Sequence, residues 1–123
     1  MIEWAQRTLG ERVDAASAAI AGFCAKPASA KRLHRMRKDL ARLIAALDDL
    51  SVLAGVGEAF ADRVRRLHRR AGKVRNADVL LARVQRYCKD AHGDEREQLR
   101  ALAKTLRKRA AKRRIKLRAE IQR

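Results

Sequence analysis

Apolar residues return at three- and four-residue spacing in four long runs, and nowhere alternate with the period of two that a half-buried strand requires. Wound at roughly 100° per residue, Ile2, Ala5, Leu9, Val13, Ala16, Ile20 and Phe23 share one side of a helix over residues 2–23. Gly22 and Pro27 bracket its end, because a proline ring crowds the residue before it out of the helical conformation. Ser29 suits the N-cap of a second helix, on which Leu33, Met36, Leu40, Leu43, Ile44, Leu47 and Leu50 form one face. This helix runs to about Leu53, where Gly55 and Gly57 supply the stop.

From Glu58 the pattern resumes with Phe60, Val64, Leu67, Ala71 and Val74, then Leu81, Val84 and Cys88. The phase is almost continuous across Gly72, so one long helix is an option. A break between Gly72 and Asn76 is the expectation, since glycine weakens a helix by about 1 kcal/mol and Asn76 can cap a new start. Such a break would aim the amides near Asn76, Ala77 and Asp78 at an anion. His92-Gly93-Asp94 reads as a turn, with Asp94 and Glu97 a weak capping signal. The last helix places Leu99, Leu102, Ala103, Leu106, Ala110, Leu117 and Ile121 on one side. Arg113 and Arg114 interrupt that stripe, so its final turns are expected to protrude. The expected fold is all-α, a single domain over residues 1–123 built as an antiparallel up-and-down bundle of four to five helices.

The polar faces carry the chemistry. Opposite the apolar side of the second helix stand Lys31, His34, Arg35, Lys38 and Arg42, with Arg37 on the border, a row of cations on a backing that a core would hold rigid. Thr105, Lys108, Arg109, Lys112 and Lys116 form a second basic face on the last helix. The formal net charge is +17, which implies an acidic partner or surface. Its distribution is uneven. Residues 1–27 balance three Lys and Arg against three Asp and Glu, 28–54 carry six against three, 55–90 ten against four, and 91–123 twelve against four. The first helix therefore reads as scaffold and the later ones as binding surface. Aromatic residues make up only 3%, so the core is aliphatic, with Trp4 and Tyr87 expected at its edge rather than as stacking platforms. His68 and His92 read as surface histidines.

Cys24 and Cys88 lack the spacing and the neighbouring His or acidic residues of a metal site, and are expected as reduced, mostly buried thiols. No basic, then apolar, then small-residue leader opens the sequence, and no apolar run nears the roughly 18 residues of a membrane span. A soluble, cytoplasmic protein is the expectation.

Two motifs give the basic faces a context. Leu33-His34-x-x-Arg37-x-x-x-x-Arg42-Leu43 resembles the first signature of the CHAD family, the histidine-containing α-helical domains that bind inorganic polyphosphate. Leu67-x-x-x-Ala71-Gly72-x-x-Arg75-Asn76-x-Asp78-Val79-Leu80 is similar to that family's Leu-Gly-x-x-Arg-Asp-x-Asp-Val segment. Ala41 and Ile44 stand where the family often carries arginine, and Asn76 replaces its usual aspartate. The resemblance covers most of this chain and roughly the first half of the usual domain. It implies that Arg37, Arg42, Arg75 and Arg109 grip phosphate oxygens, for which a planar guanidinium fork is apt. Lys31, Lys38, Lys73, Lys112 and Lys116 would supply the surrounding field.

His34 then has three readings: a solvated surface group, a phosphate ligand, or a catalytic base. The last finds no serine, cysteine or carboxylate at a helical spacing that would make a nucleophile and an orienter. Asp78 is expected to pair with Arg75 or another motif arginine and hold its guanidinium, or else to be a carboxylate favoured by a helix N-terminus. The function expected is non-catalytic binding of inorganic polyphosphate in a groove lined by Arg, Lys and His, with no metal or cofactor. The alternative is a basic helical nucleic-acid-binding protein. A homodimer is expected as well, motivated by the protruding end of the last helix, and the resemblance suggests a triphosphate-tunnel domain as neighbour or partner.

Overall fold

A computed structural model describes residues 1–122. It contains four helices: α1 (Ile2–Ala25), α2 (Ala30–Ala54), α3 (Glu58–Asp90) and α4 (Gly93–Ile121). They pack in chain order, α1 on α2, α2 on α3 and α3 on α4, each antiparallel to the last. The described residues include no strand.

The second helix is the centre of the core. Leu33, Met36, Leu40, Leu43 and Leu47 are at most 2% exposed, and each such side chain contributes about 1.5–3 kcal/mol by leaving water. Ala5, Leu9, Ala16, Ala19 and Phe23 of α1 cover them from one side, and Ala61, Val64, Ala71 and Val74 of α3 from the other. Ser29 caps α2 by accepting from the Arg32 backbone N–H at 3.2 Å, and the Arg32 guanidinium donates to the Gly22 carbonyl at 2.7 Å. The α1–α2 corner is thereby tied at both levels. Gly55 ends α2 with φ at +72°, a left-handed conformation that glycine adopts without Cβ strain.

Several sequence expectations are corrected. The helix does not break at Gly72: α3 is continuous from Glu58 to Asp90. Ala71 and Val74 are buried on either side of the glycine, and packing of that apolar stripe outweighs a propensity loss of about 1 kcal/mol. With no break there is no helix N-terminus at Asn76–Asp78 to receive an anion. The capping expected at Asp94 is likewise replaced: α4 begins at Gly93 after His92, with no side-chain cap.

The last correction concerns what protrudes. The final turns of α4 are docked, with Leu117 buried and Ile121 packed against the core. It is the first part of α4 that leaves the bundle, together with the second half of α3. Beyond Asp78 these helices continue as a two-helix arm reaching roughly 20 Å further at 1.5 Å per residue. Val84, Ala91, Ala103 and Ala110 line its narrow seam, while Leu80, Tyr87 and Leu102 are 48%, 65% and 46% exposed on its outside. Trp4, 52% exposed, and Tyr87 are thus surface rather than core-edge residues.

Candidate polyanion site

The row of cations on α2 is present as the periodicity requires. Lys31, His34, Arg35, Lys38 and Arg42 are all exposed, and with Asp39 they line a shallow depression of about 340 Å³. The backbone beneath them is fixed by the leucine and methionine stripe on the opposite face. Arg42 is partly engaged by Asp39 at 3.6 Å, an exposed pair worth well under 1 kcal/mol, so it remains available to a ligand.

Where α2 meets α3, one cluster forms across the seam. Arg37 is half-buried and lays its guanidinium over Gly72: a Cβ added there would sit 3.4 Å from Arg37 Nη2, 3.8 Å from Nε and 3.9 Å from Cζ. Its Nε is buried without a hydrogen-bond partner among the described residues. Although His34 is exposed, its imidazole is held below its ordinary pKa, first by the slight desolvation of the ring against the helix and then by the positive charges of Arg75, Lys38 and Arg37. His34, Arg37 and Lys38 of α2 therefore share a field with Arg75 of α3. His68 of α3 is also pushed down, by burial and by Arg37. The 3.4 Å spacing is ordinary van der Waals contact, so Gly72→Ala is expected to stabilise the fold by about 1 kcal/mol through helix propensity while leaving Arg37 in place. A fall in the urea midpoint of that variant would show that the seam has no room for a methyl group.

The other candidates lie apart. Around α3, Lys73 stands roughly 100° from Gly72 and 160° from Arg75. It lines a second depression of about 230 Å³ with Arg70, Arg113, Lys116 and Glu120, between α3 and α4. An ion pair of 3.8 Å between Arg70 and Glu120 borders it. Arg109 and Lys112 are exposed on α4, lining neither of these two depressions.

Asp78 does not pair with Arg75. Both it and Arg114 are buried, and the Arg114 guanidinium donates to Asp78 Oδ1. The missed residue is Arg114, which had read as an interruption of the α4 stripe. A signal was available: Arg114 is in phase with Ala103, Ala110 and Leu117, and Asp78 with Ala71, Val74 and Leu81. Two opposite charges in two facing apolar stripes answer one another. The pair sets the register of α3 against α4, since a one-turn slip would leave each charge buried alone.

Cys24 and Cys88 are free and half-buried rather than mostly buried. Burial raises the Cys24 pKa, with the Arg118 charge opposing. Among the described residues no group of three or more His, Cys, Asp or Glu is placed to hold a metal ion, and no helix is long and apolar enough to cross a membrane.

The chain is an all-helical bundle in which cations of α2 and α3 meet at one seam. Compared with models of known families, residues 3–123 match the CHAD domain, and the chain belongs to that family. No curated protein and no solved structure matches it.

Proposed function

We propose that this protein is a non-catalytic binding module for inorganic polyphosphate, held at the α2–α3 seam. CHAD domains are associated with polyphosphate binding, and the observation that supports the reading in this chain is the cluster of His34, Arg37, Lys38 and Arg75. Its cations come from two helices, and among the described residues none of the four makes an ion pair with a carboxylate. Lys31, Arg35 and Arg42 continue the positive surface along α2, so a linear chain of phosphates can lie on it from end to end. Lys73 and Lys116 form a separate basic patch, and Arg109 and Lys112 extend the positive field over the arm. Arginine forks supply directed contacts and lysines the diffuse attraction.

Calorimetric titration with polyphosphate tests this. The native protein is expected to bind, and His34→Ala combined with Arg37→Ala to lose binding at least 100-fold, each charged hydrogen bond contributing about 1.5–3 kcal/mol, with unchanged helicity by circular dichroism. Binding that survives the double substitution would place the ligand elsewhere.

A nucleic-acid reading has one observation in its favour: Tyr87 is exposed beside Arg83, Arg86 and Asp90 on the arm, an aromatic among cations on which a base can stack. Competition at fixed salt separates the two. Displacement of polyphosphate by an equal phosphate concentration of duplex DNA or RNA would favour the nucleic-acid reading.

A further inference from the structure

His68 has no role in the motifs that identify the seam. In the fold it lies one turn before Gly72 on α3, with Arg75 three residues beyond, so that the three share a side of that helix. Cα–Cβ bonds lean towards a helix N-terminus, so the Arg37 guanidinium, which a Cβ at Gly72 would meet at ordinary van der Waals distance, lies towards the His68 side of the glycine. The guanidinium lies across the glycine with its Nε buried and unpartnered.

Among the described residues, the charge that acts on this imidazole is that of Arg37, and the carboxylates near it are paired. From α2 come Arg37, and next to it His34 and Lys38. From α3 itself come Arg75 and, one turn earlier, Arg65. The carboxylates on this side of the bundle, Asp48 and Asp62, are paired with Arg65. On the α4 side, Asp78 is closed off by Arg114.

We propose that His68 is a further anion-binding residue, so that His34 with Arg37 from α2 and His68 with Arg75 from α3 form two histidine–arginine pairs closing on two consecutive phosphoryl groups. This rests on the polyphosphate reading and names the ligand unit as a condensed phosphate rather than orthophosphate. Partial desolvation and neighbouring cations lower the pKa of both imidazoles in the free protein, disfavouring their charged forms. A polyanion reverses that balance, and each ring that takes a proton becomes a charged donor to phosphate oxygen. Binding at pH 7.5 then draws about two protons from solvent, one per histidine.

Titration of the full chain with tripolyphosphate, in buffers of different ionisation enthalpy, counts those protons. The native protein is expected to take up close to two, His68→Gln about one fewer with roughly tenfold weaker binding, and His68→Lys to keep most of the affinity while losing that proton. His68→Gln with native affinity and proton count, beside a His34→Gln variant that changes both, overturns the role of His68 and leaves the polyphosphate reading standing. If His68→Gln fails to fold, His68→Lys decides, and a native proton count in it overturns the proposal. Absence of any binding by the native protein overturns both readings together.

Discussion

Asp78→Ala is expected to lower the free energy of unfolding by about 3–5 kcal/mol, the loss typical of stranding one partner of a buried ion pair. The side chains of Asp78 and Arg114 are each 8% exposed. They meet in a seam otherwise made of Ala71, Val74, Ala110 and Leu117, where a lone guanidinium has neither water nor a counter-charge. Even in the native pair, Asp78 Oδ2 and Arg114 Nε have no partner among the described residues, so desolvation is incompletely offset. The double variant Asp78→Leu with Arg114→Leu is therefore expected to recover most or all of the loss, because aliphatic replacement removes both desolvation penalties at once. Urea denaturation followed by circular dichroism checks both. For a domain with total stability on the order of 5–15 kcal/mol, the single variant should lose helix at temperatures the native protein tolerates. A single variant as stable as the native protein would mean that Arg114 escapes to solvent.

The second large effect is on affinity. Binding of long-chain polyphosphate is expected to weaken at least 1,000-fold between 50 and 200 mM salt, the fall typical of six or more phosphate contacts with release of condensed counterions. The number of contacts follows from the surface: Lys31, His34, Arg35, Arg37, Lys38, Arg42 and Arg75 lie along α2 and across its seam with α3. Arg37→Ala should reduce the slope of log K against log salt by about one, beyond weakening binding at any single salt concentration. Lys73→Ala, altering a different side of α3, should leave a shorter ligand such as tripolyphosphate nearly unaffected. An affinity that barely changes with salt would contradict an electrostatic groove altogether.

The helices and the core face of α2 were legible because each rests on one periodic pattern within one segment. Leu33, Met36, Leu40, Leu43, Leu47 and Leu50 are the stripe expected and the stripe buried. The cation row opposite them was legible for the same reason. What depends on how two helices meet was not. A glycine at position 72 is unfavourable in isolation, and only the packing of Ala71 and Val74 shows why α3 runs through it. Arg114 read as a flaw in an apolar stripe until Asp78 was found across from it. Lys73 and Gly72 are neighbours in sequence, yet the rotation of α3 sends one towards α4 and the other under Arg37. His68 reads as a surface histidine in the sequence because Arg37, the α2 charge that lowers its pKa, is brought to it only by the packing of α2 on α3.

Among the described residues, the arm beyond Asp78 packs on the bundle at one end, and no third helix lies beside its tip from Ala91 to Gly93. A bending force would therefore displace it further the farther it acts from the buried ion pair at its root. Tyr87, Lys104 and Arg107 stand exposed on this lever, whereas the charges of α2 stand on a helix packed from both sides.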